Sequence, residues 1–474
     1  MTTAYFRVPR PIPRPEDRAS SNRGRLVAVG GFGIIAVYLV FFAYQTSRLS
    51  YDDWAAYLFA PVLFLVGAPV LQRMLDKVEP DRWIHRVALA GLAAKLVGAF
   101  ARYFANVLFL GQGDSFRYYT IGSQISDEFR QFVFGGPAYV QHASDITGTS
   151  FIRLITATLF VGTGPTHLGG YIIFSFVSFW GLYLFYRAFA IAIPDGHRRR
   201  YAVIVFFLPS LVFWPSSIGK EAWMIAMLGV GAYGLSRLLT TQRGAYPLLI
   251  LSLLGSGVVR PHVAAIFGLA AGLAFLLRRD GSAGGSPRKL LGILVFAALA
   301  GVLFNQLQSF FELSEGLDTN AVFEETTRRS SQGGSQFESA QPSSPIELPW
   351  AIVTVLFRPL VHEAGGGAGL LTAVEGTFLL GFFVWNINRL VRLPAASLAR
   401  PYVAFAVLYT LIFCFAFSSI ANFGILARQR TQLLPIATVV LAIPVSRNAS
   451  PHSGSGHDRQ DESDLALPVG ERIG

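Results

Sequence analysis

The chain has 474 residues, of which 52% are hydrophobic and only 14% charged, and it carries a formal net charge of +11. A soluble domain carries nearer a quarter charged residues, so the composition excludes an ordinary soluble globule and predicts an all-α polytopic bundle of transmembrane helices. The basic residues fall in short hydrophilic loops, where they report topology; basic stripes with interleaved aromatics are absent, so no nucleic-acid partner is expected.

Residues 1–25, "MTTAYFRVPRPIPRPEDRASSNRGR", read as a disordered cytoplasmic tail beside anionic lipid. The transmembrane domain is expected over 26–446. Its first span runs from Leu26 to Tyr44 and lacks a small-residue cleavage site, which makes it an uncleaved helix with its N-terminus inside. Trp54 to Leu71 returns to "QRMLDKVEPDRWIHR", and Val87 to Leu110 delivers "GQGDSFRYY" outward. An outer loop is expected over about 111–167, within which "RLITATLFVGTG" is too short to span and reads as re-entrant. Leu168 to Phe189 goes in, Ala202 to Trp214 out, Ala222 to Leu239 in, Tyr246 to Val258 out, Ala264 to Leu277 in, and Leu290 to Leu307 out. A second outer loop is expected over about 307–350, followed by the re-entrant "WAIVTVLFRPLVHEAGGGAG". Leu370 to Ile387, Tyr402 to Ile425 and Leu433 to Val445 complete about twelve spans, several short for a ~30 Å core. Residues 447–474 read as a second disordered cytoplasmic tail.

One stretch, "LPSLVFWPSSIGKEAWMIAML", puts Lys220 and Glu221 into apolar company. It reads as a helix broken and restarted at the outer interface, with Ser216 or Ser217 as cap and free N–H groups suited to an anion. A P-loop is excluded, because Trp214 and Glu221 stand where its pattern needs Gly and Ser or Thr. Other charged motifs reach the same face: Asp114 in "GDSFRYY", Arg260 and His262 in "VRPH", Arg358, His362 and Glu363 in "RPLVHEA", and Arg428 and Arg430 in "ARQRTQ". Arginine is disfavoured on the outer side, and its planar fork suits phosphate. Arg260 and Arg358 each precede a proline, the residue that suits the first turn of a helix.

Each residue also has a plainer reading. Lys220 and Glu221 would serve equally as an interfacial cap. Arg260 and Arg358 would snorkel to headgroups, Arg428 and Arg430 would mark a cytoplasmic hairpin, and His262 and His362 would be structural. Asp114 would cap a turn. Lys95 and Arg102 share one face of the third span, with Glu375 as their expected structural partner and a role in transport second. The single cysteine, Cys414, excludes an intrachain disulfide, and the eight histidines show no metal-ligand spacing. Neither metal nor cofactor is expected.

Around Asp114, with Tyr118 and Tyr119, "GDSFRYY" resembles the acidic outer-loop motif of the GT-C glycosyltransferase superfamily, although there the loop follows the first span and here the third. That resemblance implies an acidic residue acting on the acceptor and a polyprenyl-phosphate sugar as donor. The outer arginines and the late outer loop are similar in placement to O-antigen (Wzy-type) and exopolysaccharide polymerases. The expectation is thus an enzyme of cell-envelope glycan assembly in a bacterial inner membrane, with both termini cytoplasmic. Its partners would be a polyprenyl-phosphate-linked glycan, the lipid bilayer and other envelope-assembly proteins. Asp114 would be catalytic, and Tyr118, Tyr119, Lys220, Glu221, Arg260, His262, Arg358, His362, Glu363, Arg428 and Arg430 would bind substrate. The alternative is a transporter or flippase for a lipid-linked glycan or another anion, using Lys95, Arg102 and Glu375 along a path; a structural partner in an envelope complex is a third reading.

Overall fold

A computed structural model describes residues 33, 35–111, 113–278, 347–364 and 366–444, together with Phe337 and scattered positions between 290 and 301. The two expected tails, most of the loop expected over 307–350 and parts of the first and ninth expected spans lie outside the described residues.

All regular structure among the described residues is helical. After a helical stretch over 35–48 come α1 (Tyr51–Asp76), α2 (Arg82–Ala105), α3 (Gly113–Arg130), α4 (Pro137–His142), α5 (Gly148–Thr163) and α6 (His167–Ala192). Then follow α7 (Arg198–Phe207), α8 (Pro209–Phe213), α9 (Lys220–Leu239), α10 (Ala245–Gly257), α11 (Pro261–Leu276) and α12 (Leu348–Phe357). The chain ends in α13 (Gly366–Trp385), α14 (Ile387–Leu390), α15 (Leu393–Ala399), α16 (Pro401–Phe417), α17 (Phe423–Arg430) and α18 (Leu434–Ala437).

Among the described residues, four helices are long and apolar enough to cross a membrane: α1, α2 with its π-helical extension to Phe109, α6 and α9. At about 1.5 Å per residue the 26-residue α6 reaches about 39 Å. The other apolar helices, α5, α10, α11, α12 and α16, are shorter, as is the apolar stretch of α13 over Gly369–Trp385. Hydropathy alone therefore reads as more full spans than the helix lengths supply. The last expected span, Leu433 to Val445, is not one helix but α18 followed by a 3-10 turn over Thr438–Leu441.

The core centres on α6 and α9, the most buried of the long helices, while α1 is largely exposed, as a lipid-facing helix would be. Glycines let α6 and α9 approach closely. A Cβ added at Gly229 would lie 2.3 Å from the Gly181 carbonyl oxygen, and one at Gly181 would lie 2.3 Å from that of Ile225. Small residues at such a crossing give backbone-to-backbone packing where lipid offers no hydrophobic drive.

Three departures from the sequence expectation shape the site. First, the outer stretch after Leu110 is not loop: α3 is an 18-residue helix packed on α5, and "GDSFRYY" opens it. Second, Lys95 and Arg102 do not pair with Glu375. Pro209 breaks the chain after α7, leaving the five-residue α8 with exposed polar ends inside the protein. Glu375 accepts from the Ser210 N–H (3.0 Å) and hydroxyl (2.6 Å) at its start. Lys95 Nζ donates to the Leu211 carbonyl (2.9 Å) near its end and to Ser216 Oγ (2.7 Å). The orphaned groups of a broken helix are thus satisfied by charges of the matching sign. Third, Ser216 is spent on Lys95 and does not cap α9, whose N-cap is the extended Gly219 with no side-chain cap.

The basic loops expected inside do gather at one end. Arg199 binds Asp81 (2.6 Å), Arg400 binds Asp195 (2.6 Å), Arg200 donates to Asn386 (2.9 Å), and Arg278 donates to the Leu238 carbonyl (2.9 Å). An open cavity lined by Glu79, Asp81 and His197 to Arg200 lies at this end, remote from the charged cluster described next.

Candidate functional site

The cluster forms where α9 and α11 start. Lys220 is the first residue of α9 and Glu221 its second, while Arg260 is the N-cap of α11, with Pro261 fixing the first turn. Arg260 Nη2 donates to Glu221 Oε1 at 2.9 Å, and both side chains are largely buried. The motifs centred on Lys220 and Arg260 therefore meet. His262, the second residue of α11, tilts its ring against Phe417 at 5.6 Å.

The start of α3 closes one side. Asp114 is exposed and its Oδ2 lies 3.4 Å from Arg428 Nη1 on α17. Tyr118, four residues on and buried, faces the same cluster. Burial, Glu221 and Asp114 push its hydroxyl up to about 12, against the opposing effects of a Thr149 hydrogen bond and Arg260.

Tyr119 turns elsewhere. Its hydroxyl donates to Asp52 Oδ2 at 2.9 Å and its ring stacks on His167 at 4.8 Å, so burial and then Asp52 raise its pKa. Tyr118 and Tyr119 point from α3 to different neighbours, and the trio Asp114, Tyr118 and Tyr119 does not converge.

Arg358, Glu363 and His362 form a separate station. Arg358 is not at a helix start: it is the extended C-cap of α12, and its bond to Pro359 is cis. It binds Glu363 at 2.6 Å and lies over the rings of Phe337 (4.8 Å), Phe423 (5.5 Å) and Trp350 (5.6 Å). Burial opposes ionisation of Glu363, but Arg358 and the Leu360 N–H outweigh it, holding the carboxyl below its usual range. His362 is exposed beside them.

Arg430 is fully buried and donates to the Leu356 (2.9 Å) and Arg358 (3.2 Å) carbonyls. It ties the end of α12 to α17, the helix that carries Arg428; the sequence reading expects it to bind substrate, and here its guanidinium holds those two carbonyls.

Two further cations lie within electrostatic reach of the cluster. Arg102 lies over Trp214 (4.4 Å) and Phe213 (4.8 Å), and the charges of Arg428 and Glu221 act on it. Arg153 on α5 acts on Lys220. Neither residue sits in a motif; a lone arginine within an apolar span was the only signal for Arg102. The cluster thus gathers five cations, Arg102, Arg153, Lys220, Arg260 and Arg428, around two carboxylates, Asp114 and Glu221. That excess of positive charge in a partly buried setting suits an anion.

No family model, curated protein or solved structure matches the chain.

Proposed function

We propose that the chain is a multi-pass glycosyltransferase or polysaccharide polymerase of bacterial cell-envelope glycan assembly, using a sugar on a polyprenyl phosphate or diphosphate at the outer face of the inner membrane. The observation that carries the reading is the excess of cations around an exposed carboxylate, at the end of the bundle opposite the basic loops. By the positive-inside rule the basic end is cytoplasmic, which leaves the cluster outside, where such donors are used.

In this reaction the acceptor hydroxyl gives its proton to Asp114 while its oxygen forms a new bond to the anomeric carbon of the donor. The bond from that carbon to the phosphate oxygen breaks, and its electron pair leaves with the phosphate. Lys220, Arg260 and Arg428 hold the departing charge. Phosphate is a good leaving group, so positioning and charge stabilisation supply most of the acceleration and no acid is needed.

A transporter of the same lipid-linked glycan would need polar groups along a path. Lys95 and Glu375, the natural candidates, are engaged with the backbone of α8, which favours the enzyme. The test is reconstitution of the purified protein in vesicles with a polyprenyl-diphosphate oligosaccharide. Release of polyprenyl diphosphate with a lengthened glycan supports the reading; movement of intact lipid-linked glycan across the bilayer, without release, overturns it.

A further inference from the structure

Two arginines in the cluster are both buried and short of hydrogen-bond partners. Arg102 is 8% exposed and Arg260 7% exposed. Among the described residues, Nε and Nη1 of Arg102 and Nη1 of Arg260 have no hydrogen-bond partner, although Arg260 Nη2 is held by Glu221. A buried guanidinium N–H without an acceptor is costly, and a fork held in one orientation is a binding group waiting for oxygen.

The orientation of Arg102 is fixed from below. Its plane rests on Phe213, which ends α8, and on Trp214, which follows it directly. That short helix is gripped by Glu375 at one end and Lys95 at the other. Arg102 comes from α2 and Arg260 from the start of α11; Glu221 binds Arg260 at 2.9 Å and its charge also acts on Arg102. Two forks from separate helices suit two phosphate groups better than one. The charge tally points the same way, since a sugar monophosphodiester brings a single negative charge to a cluster with three positive charges in excess.

We propose that Arg102 and Arg260 form a buried diphosphate subsite, and that Arg102 is the residue selecting a diphosphate-linked lipid over a monophosphate-linked one. This narrows the donor class of the transferase reading and rests on it only for the sugar. Sequence reasoning assigned Arg102 to structural pairing; its unpaired nitrogens are what move it into the site.

Binding would be measured by calorimetry on the full chain in nanodiscs of neutral lipid, with geranyl diphosphate and geranyl phosphate as short-chain probes. Wild type is expected to bind the diphosphate at least about tenfold more tightly. Arg102→Gln should weaken diphosphate binding about ten- to a hundredfold and leave monophosphate binding little changed. Arg102→Lys should restore only part, because an ammonium presents no fork; it also carries the test should the glutamine variant fail to fold. An unchanged diphosphate preference in Arg102→Lys and Arg102→Gln overturns the subsite. Competition by inorganic pyrophosphate supports it and shows that the headgroup alone is read. Equal competition by phosphatidylglycerol overturns it, because the cluster would then be an anchor for bulk headgroups. Diphosphate selectivity without glycosyl transfer keeps this subsite and removes the transferase reading, whereas transfer from a monophosphate donor does the reverse.

Discussion

Lys95 and Glu375 never touch in the hydrogen-bond network, yet they hold opposite ends of the same five-residue helix, Pro209–Phe213. Each charge compensates backbone groups that the break at Pro209 leaves unpaired inside an apolar bundle. The distinction from an ion pair has a measurable consequence. Replacing both members of a buried ion pair by apolar residues regains much of what a single replacement loses. Here Lys95→Met and Glu375→Leu should each cost about 1–3 kcal/mol by leaving carbonyl or amide groups unsatisfied, and the double variant should be no more stable than the worse single one. Thermal unfolding of the three purified variants checks this; recovery in the double variant would show a direct pair instead.

The Glu221–Arg260 pair should behave in the opposite way. Its 2.9 Å contact is largely out of solvent. Arg260→Ala strands a buried carboxylate and should destabilise by about 3–5 kcal/mol, whereas Arg260→Ala with Glu221→Gln should recover a substantial part. A double-mutant cycle on unfolding would read the coupling. A coupling near zero would mean the pair is open to solvent.

Much of the helix order was legible because long apolar runs bounded by charged loops report spans directly; α6, α9 and α13 begin and end within a few residues of the hydropathy reading. The gathering of "IGKE" and "VRPH" was legible too, since both are charged breaks at the same expected depth. What hydropathy misses is partnership. A lysine and a glutamate each set within an apolar span look like a pair, and only the position of the Pro209 break reveals that each serves backbone. Arg102, expected to pair with Glu375, lies instead over Phe213 and Trp214. Residues 113–130 looked like loop because α3 is polar on one face, and an amphipathic helix gives no apolar run. Arg358 before Pro359 resembled a helix start, but the segment beyond it is a 3-10 turn.

Glu363 carries a pH dependence with a definite sign. Its folded carboxyl is held below the usual value by Arg358 and the Leu360 N–H, which outweigh the opposing effect of burial. A depressed acid stabilises the folded state above its unfolded pKa of about 4.3 and loses that contribution as pH falls through the folded value. The junction after α12 should therefore loosen below about pH 4. Hydrogen exchange of the segment 358–364 should rise in that window in wild type. In Glu363→Gln it should already be raised at neutral pH and show little further change on acidification.

The two ends of the bundle should be reached from opposite sides of the membrane. Ser144 is exposed at the site end, close to where Gly148 N–H donates to the Val258 carbonyl (2.7 Å) and Arg153 to that of His142 (3.0 Å). Gln242 is exposed just beyond the far end of α9. In a Cys414→Ser background, an impermeant thiol reagent applied to intact cells stripped of their outer barrier should label Ser144→Cys and spare Gln242→Cys. The reverse pattern would put the cationic cluster in the cytoplasm and remove the reason for an outer-face donor.

Asp114 offers the sharpest test of chemistry. It is exposed beside Arg428 rather than locked in a buried pair, so its replacement should cost little stability; exposed ion pairs contribute about 0–1 kcal/mol. Asp114→Asn preserves size and most hydrogen bonding but removes both charge and basicity. If the carboxylate takes the acceptor's proton, product formation should fall about a hundred- to ten-thousandfold, with membrane abundance and donor binding nearly unchanged. A loss confined to acceptor KM would make Asp114 a positioning group. Wild-type turnover in Asp114→Asn would leave it as the partner that orients Arg428, and the proton would have to leave by another route.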